Sequence, residues 1–293
     1  SLDAGSRHIG LLIRESGIKE IQVIDDGYGM NEEDAVLCSS QHATSKISSP
    51  DDLEKINTFG FRGEALASIG SVSRLRIVTC PDNKGEGTQV EVEGGVIGEV
   101  QKVAAKRGTS VIVKNLFYNV PARKKFLKSV STELRHVISV FRRFALSYEK
   151  IDFSLTIDGE KSMNFAKDTE ENRIRELLGE EKFLSLIPVN EQLGGVRLKG
   201  FVGKPGEGNK SRSDQFFFLN RRYIVSKVLM HSVLSAYGPR LDRGKYPIFI
   251  LFIEMDPARF DVNVHPTKIE VRFREERIVH DALFRAVQNA FKS

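Results

Sequence analysis

Cysteine and tryptophan are nearly absent from the sequence. Among its 293 residues there are two cysteines, Cys38 and Cys80, and no tryptophan. The two cysteines stand alone, with no CxxC motif and no Cys/His cluster, which argues against a disulfide framework or a structural zinc site and favours a reducing, intracellular environment. The aromatic residues are mostly phenylalanine, 19 against six tyrosines, and they do not indicate a base-stacking platform.

Long apolar runs are also missing. No stretch approaches the ~20 residues that a membrane-spanning helix needs, and no secretory signal opens the chain. The 44 basic and 39 acidic residues give a net charge of +5, which is compatible with a polyanionic partner but does not identify one. Because the length exceeds one typical domain, composition predicts a soluble two-domain protein that does not act at a membrane.

Hydrophobic periodicity predicts a mixture of helices and strands. A short apolar run over 21–24 is typical of a strand and ends in an acidic, glycine-rich turn. Runs over 75–79, 88–92 and 109–113, separated by turns, indicate an antiparallel sheet, and helical spacing predicts a helix over 132–148. In the second half we expect a helix over 169–178, strands over 196–202, 215–219 and 247–253, a helix over 226–237 and a closing helix through 279–291.

The first candidate motif is Asp25-Asp26-Gly27-Tyr28-Gly29, directly after the first predicted strand. A carboxylate at a strand end can accept a hydrogen bond from the exocyclic amino group of adenine, whereas guanine carries a carbonyl oxygen at that position. The glycines allow the backbone to approach a purine closely. The same pattern also occurs in ordinary turns, so by itself it does not establish a nucleotide site.

The second candidate is the loop Gly60-Phe61-Arg62-Gly63-Glu64, which opens an apolar helical segment. Unpaired amides and the positive dipole at a helix N-terminus suit a phosphate chain, although a structural loop is the alternative and no Walker Gly-Lys-Ser/Thr follows. The polar stretch over 38–58 is predicted to be a functional lid. Thr109 and Lys268 could each contact a nucleotide, but a strand residue and a solvated lysine are the simpler interpretations.

The order and spacing of these motifs resemble those of the GHKL, or Bergerat-fold, ATPases. Asp25-x-Gly-x-Gly, Gly60-x-x-Gly63 and Gly108-Thr109 follow the serial order of that superfamily, which includes type II topoisomerase ATPase subunits, certain heat-shock chaperones, sensor histidine kinases and MutL. Five segments then resemble the MutL family of DNA mismatch-repair ATPases specifically: 1–5, 42–47, 60–66, 116–127 and 261–273.

The resemblance implies an α+β fold, with a Bergerat-type α/β sandwich ATPase domain over 1–180 and a smaller ribosomal-protein-like α/β transducer domain over 181–293. It implies a protein that binds ATP and hydrolyses it slowly, and whose ATP-driven N-terminal dimerisation clamps DNA and relays mismatch recognition to downstream factors. The alternatives are a non-hydrolysing, ATP-gated interaction module and a topoisomerase-type ATPase half. The 116–127 and 261–273 segments favour MutL over the last of these.

The roles of family residues carry over to matching positions. Asp25 would hold the adenine amino group, with Gly27 and Gly29 shaping the base pocket and Thr109 supporting it. Lys268 would reach the γ-phosphate and support phosphoryl transfer. The triphosphate would be held by the lid and the glycine loop, namely by Thr44, Ser45, Lys46, Gly60, Phe61, Arg62 and Gly63.

One part of the family pattern precedes Ser1. The family carries Glu-x-x-x-Asn directly before the segment that matches 1–5, where the Glu activates water and the Asn binds Mg²⁺. We therefore expect ATP and Mg²⁺ as cofactors, with the catalytic Glu and the metal ligand upstream of this sequence and hydrolysis impaired without them. Asp3 is expected to support the pocket, and Glu64 to pack or pair locally.

Basic residues occur in groups that are candidates for DNA contact. A solvated face is the alternative for any one group, but the resemblance favours a groove that holds DNA phosphates, double- or single-stranded, without reading bases. The other implied partners are a MutS-type mismatch-recognition protein and a second copy of the chain or a paralogue. The resemblance also implies a location in the cytoplasm, at the bacterial nucleoid, or in the nucleus if the protein is eukaryotic. The candidate DNA-binding residues are Arg123, Lys124, Lys125, Lys128, Arg142, Arg143, Arg221 and Arg222.

Overall fold

The chain folds into two compact units in a computed structural model that describes residues 1–40, 65–82, 84–262 and 269–292. Unit 1 comprises Ser1–Phe141 and Glu149–Asp168. Unit 2 comprises Arg142–Tyr148 and Thr169–Ser293. The chain thus enters unit 2 for a short stretch, returns to unit 1 and then completes unit 2.

Unit 1 is built on one eight-stranded sheet. Its strands in chain order are β1 His8–Arg14, β2 Glu20–Asp25, β3 Arg74–Cys80, β4 Glu86–Glu93, β5 Val96–Ala104, β6 Gly108–Lys114, β7 Asp152–Ile157 and β8 Glu160–Phe165. They lie in the order β5-β4-β3-β6-β2-β1-β7-β8. Neighbours are antiparallel except β1 and β7, which run parallel. The sheet brings the ends of β2, β6 and β3 next to one another.

Alternation along the strands explains how this sheet buries one face. On β3, Leu75 and Ile77 are buried in a core cluster with residues of β4 and β6. Arg74 and Arg76, which alternate with these two residues, point the other way and pair across to β4, with Nε to Oε1 distances of 2.9 Å to Glu93 and 2.7 Å to Glu91. A one-residue shift would bury these charges, so the sequence alternation fixes the register.

The helices of unit 1 are α1 Glu32–Leu37, α2 Ala65–Gly70, α3 Pro121–Lys124 and the first part of α4 Val130–Ser147. The side chain of Asn31 caps α1 by accepting from the amide of Asp34 at 2.7 Å. On α4, the ring of Phe141 packs edge-on against Phe153 and stacks on Phe165, each with a centroid distance of 6.0 Å. These apolar contacts bury the α4 face that the sequence periodicity indicates.

Unit 2 contains a five-stranded sheet, helices and two small two-stranded sheets. Its strands are β9 Leu186–Leu193, β10 Val196–Gly203, β11 Gly208–Asn209, β12 Gln215–Leu219, β13 Arg222–Ile224, β14 Tyr246–Pro247, β15 Phe249–Glu254, β16 Phe260–Asp261 and β17 Arg272–Phe273. The main sheet has the order β13-β12-β15-β10-β9, with β12 parallel to β15. The small sheets pair β11 with β14 and β16 with β17. The helices are α5 Glu170–Leu178, α6 Glu180–Leu184, α7 Lys227–Tyr237 and α8 Glu276–Ala290.

Both faces of the unit 2 sheet are buried, which explains its continuous apolar strands. On β15, Leu251 lies in a cluster with apolar residues of α7 and α8, whereas Ile250 lies in a second cluster on the opposite face. A strand that is covered on both faces has an unbroken run of apolar residues in its sequence, and not alternating apolar and polar residues. Thr169 and Ser226 cap α5 and α7 by accepting hydrogen bonds from backbone amides.

The α+β fold class predicted from the sequence is confirmed, as are the predicted helices and strands that lie within the described residues. The predicted strand over 247–253 is divided, because Tyr246–Pro247 pairs with β11 and the sheet strand begins at Phe249. Elements that the sequence does not predict include the strands β1, β5, β7, β8 and β9 and the helix α1. No helix in the described ranges is long and apolar enough to cross a membrane.

Candidate functional site

Three adjacent strands of unit 1 bring the first candidate residues together. In the register of the sheet, Asp25 at the end of β2 is opposite Thr109 on β6, and Thr109 is in turn opposite Thr79 on β3. Directly opposed residues have Cβ atoms about 5 Å apart. The fold therefore places one carboxylate and two hydroxyls side by side at the ends of three adjacent central strands.

Asp25 is almost fully buried, with 9% of its surface exposed, and both of its oxygens are hydrogen-bonded. The amide of Gly27 donates to Oδ1 at 2.9 Å, and the hydroxyl of Ser1 donates to Oδ2 at 2.7 Å. Each carboxylate oxygen has two lone pairs, so each can accept one further hydrogen bond. The two contacts orient the carboxylate and leave it able to hold an amino group.

The glycines around Asp25 are required by close packing of the backbone. At Gly29, where φ is +67°, a Cβ atom would lie 2.1 Å from the carbonyl oxygen of Cys80. At Gly108, where φ is +122°, it would lie 2.0 Å from the carbonyl oxygen of Asp25. At Gly27 it would lie 2.7 Å from the Cβ of Ala4. The spacing of Asp-x-Gly-x-Gly thus reflects a turn pressed against two neighbouring segments.

Thr79 connects the turn to the strand that carries Thr109. Its fully buried hydroxyl accepts from the amide of Met30 at 2.8 Å and can donate to the carbonyl of Gly108 at 3.2 Å. The hydroxyls of Thr79 and Thr109 are 3.0 Å apart, and either of them can be the donor, because the single proton of Thr79 can point to Thr109 or to the carbonyl of Gly108. In both arrangements the oxygen of Thr109 retains a lone pair that can accept a further hydrogen bond.

A second polar network supports the end of β2. The carboxylate of Asp26 accepts from the amides of Arg7 and His8 at 2.7 and 2.9 Å, and its Oδ2 is 2.8 Å from Nδ1 of His8. The other ring nitrogen of His8 is 2.6 Å from Oδ2 of Asp152. Burial by itself raises the pKa of Asp26, but the bonds from His8 and Arg7 outweigh it and hold this pKa below its ordinary value.

Several predicted site residues lie outside the described residues. These are the proposed triphosphate ligands and the lysine expected at the γ-phosphate, namely Thr44, Ser45, Lys46, Gly60, Phe61, Arg62, Gly63 and Lys268. Their roles stay predictions. In the part of the chain that the structure describes, there is no group of three or more His, Cys, Asp or Glu side chains arranged to hold a metal ion.

The first group of predicted DNA-binding residues is exposed. Arg123 and Lys124 lie in α3, Lys125 follows it, and Lys128 lies just before α4. All four residues are on the surface. The sequence brings them together simply because they are neighbours along the chain.

Arg142 and Arg143 have different surroundings, since their side chains take part in the packing of unit 2. Arg142 donates to the buried carboxylate of Asp214 at 2.9 Å, and Nζ of Lys182 contacts the same carboxylate at 2.7 Å. Arg143 lies over the ring of Tyr223, 3.9 Å from its centroid. Burial raises the pKa of Asp214, but the hydrogen bonds from Lys182 and Arg142 more than offset this effect and leave the pKa below its ordinary value.

Arg221 and Arg222 lie at the β12–β13 turn of unit 2. The side chain of Arg221 is exposed and approaches the ring of Tyr148 at 5.9 Å, whereas Arg222 is half-buried. Burial lowers the pKa of Arg222 from its ordinary value. A role of either pair of arginines in DNA binding stays a prediction.

Three contributors to the site are not predicted from the sequence. Ser1 belongs to the 1–5 segment that resembles the family, but the sequence assigns no role to its hydroxyl. Thr79 and the pair of His8 with Asp26 give no motif signal, because their partners lie 49, 30, 19 and 18 positions away in the chain. Only the strand register brings these groups together.

Comparison with protein families assigns both halves of the chain. A family model described as "Histidine kinase-, DNA gyrase B-, and HSP90-like ATPase" matches residues 1–116. A second, described as "DNA mismatch repair protein, C-terminal domain", matches residues 174–292. The first match contains Asp25, Thr79 and Thr109.

Individual relatives agree with these matches. The DNA mismatch repair protein MutL of Geobacter sulfurreducens is 44% identical over 292 residues, which cover 100% of this chain and 48% of that protein. A structure of the N-terminal domain of a DNA repair protein has a TM-score of 0.86 at 24% identity, covering 100% of this chain and 91% of the other, and shows the fold. The Aquifex aeolicus MutL ATPase domain in complex with ADP has a TM-score of 0.65 at 26% identity, covering 97% and 91%.

The chain spans about half the length of the curated relatives that it matches. Their similarity extends along this whole chain, and the two family models cover most of it in the order ATPase region, then mismatch-repair domain. The fold, the aspartate-glycine turn and these matches all agree, and this chain therefore belongs to the MutL family of DNA mismatch-repair proteins.

Proposed function

We propose that this chain binds ATP where the central strands β2, β6 and β3 of the unit 1 sheet end, and that it is part of a slow ATPase acting in DNA mismatch repair. The observation that carries the proposal is the buried, doubly hydrogen-bonded carboxylate of Asp25 beside Thr109 and the close-packed glycine turn. The ADP complex of the Aquifex aeolicus MutL ATPase domain supports the same class of ligand.

Asp25 determines which base is accepted in this proposal. Its remaining lone pairs accept the amino group of adenine and repel the carbonyl oxygen of guanine. Thr109 supplies an additional acceptor, and Thr79 orients Thr109. Ser1 and Gly27 prevent the carboxylate from rotating, so little ordering entropy is lost when the base binds.

The phosphate end of the site rests on residues outside the described ranges. Thr44–Lys46 and the loop of Gly60–Gly63 would surround the triphosphate, and Lys268 would neutralise charge at the γ-phosphate. The described residues contain no group of three or more His, Cys, Asp or Glu side chains that could hold a metal ion. We propose that the Mg²⁺ ligand and the water-activating Glu belong to the family segment that precedes Ser1.

The assignment of residues 1–180 as the ATP-binding domain and 181–293 as the transducer domain stays part of the proposal. So do the expected partners, which are DNA, a MutS-type protein and a second copy or paralogue, and so does a cytoplasmic location. In the proposed cycle, bound ATP orders the lid and drives two N-terminal halves together around DNA. The non-hydrolysing alternative retains this shape change without turnover.

A chain extended upstream to include the family Glu tests this cycle. Adding a non-hydrolysable ATP analogue should convert it from monomer to dimer in sedimentation velocity, because ATP binding is expected to order the surface that dimerises. Replacing the upstream Glu by Ala should preserve this shift and abolish phosphate release. Undiminished phosphate release would contradict the assigned chemistry, and a wild-type chain that dimerises but never releases phosphate would favour the alternative.

Charge reversal tests the proposed DNA contact. Changing Arg123, Lys124 and Lys125 to Glu should lower affinity for DNA at least about tenfold at low salt. It should also reduce the slope of log affinity against log salt by about 2.7, because three phosphate contacts are lost. Affinity is measured by fluorescence anisotropy at several salt concentrations.

A matched control has the same change in net charge at other exposed cations of unit 1. Reversal of Arg14, Lys19 and Lys84, whose side chains are exposed, should leave the salt slope near that of the unaltered protein. Equal effects of the two triple variants would show that net charge, rather than this group, governs binding. Arg142 is unsuitable as a probe because its removal leaves Asp214 with one cation fewer in a buried site.

A further inference from the structure

The segment that follows β6 presents an exposed aromatic ring among cations. Phe126 is 78% exposed, the highest value among the large apolar side chains of the described residues. Arg123, Lys124 and Lys125 precede it directly, and Lys128 follows two positions later. A single exposed apolar side chain is common on soluble proteins, so the ring is informative because cations surround it in the sequence and not because of its exposure alone.

This segment is held at both ends and is preorganised. Upstream, the amide of Phe117 donates to the carbonyl of Val72 at 2.7 Å, and the side-chain amide of Asn119 donates to the carbonyl of Ser71 at 2.9 Å. Downstream, the amide of Lys128 donates to Oε1 of Glu133 at 2.7 Å in the first turn of α4.

Between these anchors the backbone forms successive turns. The amides of Lys124, Lys125 and Phe126 donate to the carbonyls of Val120, Pro121 and Arg123, at 3.1, 3.2 and 3.0 Å. Phe126 therefore stands on a hydrogen-bonded turn rather than on a free loop. A backbone fixed in this way loses little conformational freedom when the segment binds a ligand.

The charge around the ring is not neutralised within the described part of the chain. Arg123, Lys124, Lys125 and Lys128 form no ion pair with any described carboxylate, whereas Arg74, Arg76, Lys102 and Lys114 of the same unit are all paired. Cations kept without internal partners beside an exposed ring fit a ligand that is both polyanionic and aromatic. Nucleic acid has this combination of properties.

We propose that Phe126 stacks on an unpaired base and that this surface recognises single-stranded nucleic acid. The inference rests on the proposed DNA contact of the basic group and specifies its substrate class. In an undistorted duplex both faces of each base are covered by its neighbours, so a ring can stack only if base steps are first separated, which costs a few kcal/mol for each step. In a single strand every base offers a face to stack on, and stacking tolerates any sequence.

The test compares Phe126→Ala, Phe126→Leu and Phe126→Trp in the full chain. Affinities for a 16-nucleotide oligothymidine and for a mixed-sequence 16-base-pair duplex are measured by fluorescence anisotropy. We expect Phe126→Ala and Phe126→Leu each to weaken single-strand binding about tenfold, equivalent to about 1.4 kcal/mol, as for the loss of one stacked base. Duplex affinity should change less than about twofold, and Phe126→Trp should retain single-strand affinity because indole stacks equally well.

Val96→Ala is the control, since Val96 is also highly exposed and apolar but lies on the edge strand β5. It should leave both affinities unchanged. The stacking proposal is overturned if Phe126→Ala changes the affinities for both nucleic acids equally or changes neither. It is likewise overturned if Phe126→Leu binds the single strand with unchanged affinity. It is also overturned if the substitutions change only self-association in sedimentation velocity, which would make the ring a protein contact.

The failure of stacking and the failure of the DNA contact give different results. If reversal of Arg123, Lys124 and Lys125 lowers affinity while Phe126→Ala changes nothing, the basic surface binds phosphates but the ring does not stack. If that reversal leaves affinity for both nucleic acids unchanged, the DNA contact itself is wrong at this surface, and the stacking inference falls with it.

Discussion

Replacing Asp25 by asparagine is expected to weaken ATP binding about a hundredfold. A hydrogen bond to a charged group contributes about 1.5–3 kcal/mol, and each 1.4 kcal/mol changes affinity tenfold. The change also places a donor where the adenine amino group needs an acceptor. Binding of a non-hydrolysable ATP analogue is measured by isothermal titration calorimetry.

The geometry of the carboxylate explains why the amide does not simply rotate to compensate. The amide of Gly27 donates to Oδ1 of Asp25 at 2.9 Å and still requires an acceptor after the substitution. The carbonyl oxygen of the new side chain is therefore expected at the Oδ1 position, which leaves the NH₂ group at the Oδ2 position. Presenting NH₂ to adenine is unfavourable, whereas guanine offers a carbonyl oxygen there.

The preference for ATP over GTP should consequently narrow in Asp25→Asn. Glu91→Gln, which removes an exposed carboxylate from the same sheet, is the control and should leave both affinities unchanged. Thermal unfolding followed by circular dichroism checks that the variant is folded. An unchanged ATP affinity in folded Asp25→Asn would place the base elsewhere and would remove the basis for the proposed function.

Replacing Gly108 by alanine is expected to lower the free energy of unfolding by about 3–5 kcal/mol. At φ +122° an L-residue is strained, at a cost of about 1–3 kcal/mol. The added Cβ would also lie 2.0 Å from the carbonyl oxygen of Asp25, so β2 and β6 must separate at the point where Asp25 faces Thr109. Overpacking of this kind costs a further ~1–3 kcal/mol.

Urea unfolding followed by circular dichroism measures the change, and the midpoint of thermal unfolding should fall by about 10 °C. Gly85→Ala separates strain from the clash, because Gly85 has φ +84° but no atom lies within 4 Å of the position that an added Cβ would occupy. We expect that variant to lose only ~1–2 kcal/mol. Equal losses in the two variants would show that the close approach of Gly108 to Asp25 has no energetic consequence.

The extent to which the fold can be predicted differs between elements for identifiable reasons. The helix α4 and the strand β12 carry strong periodic or continuous apolar signals, and the sequence predicts them nearly to the residue. The edge strand β5 is mostly exposed, and β8 has the polar sequence Glu-Lys-Ser-Met-Asn-Phe, so neither shows the alternation of a half-buried strand. Their pairing is determined by β4 and β7, not by their own composition.

The candidate site shows the same division. Asp25, Gly27 and Gly29 can be named from the sequence because the proposed contact with a base requires fixed spacing within one turn. Thr79 cannot, because a buried threonine in a strand is ordinary until the register places its hydroxyl 3.0 Å from that of Thr109. The eight basic residues look alike in the sequence, yet Arg142 is paired with buried Asp214 whereas Arg123 is exposed.

The sequence by itself determined the fold class, the family resemblance and the local motifs, because these depend on periodicity and on spacing along the chain. Tertiary structure alone decided which hydroxyl supports Thr109, which cations pair with described carboxylates and that Phe126 points into solvent. Those properties depend on distances between residues far apart in the chain, and these distances are set by strand register and packing. For the same reason the count of aromatic residues gave no indication of a stacking surface, whereas the exposure of a single ring did.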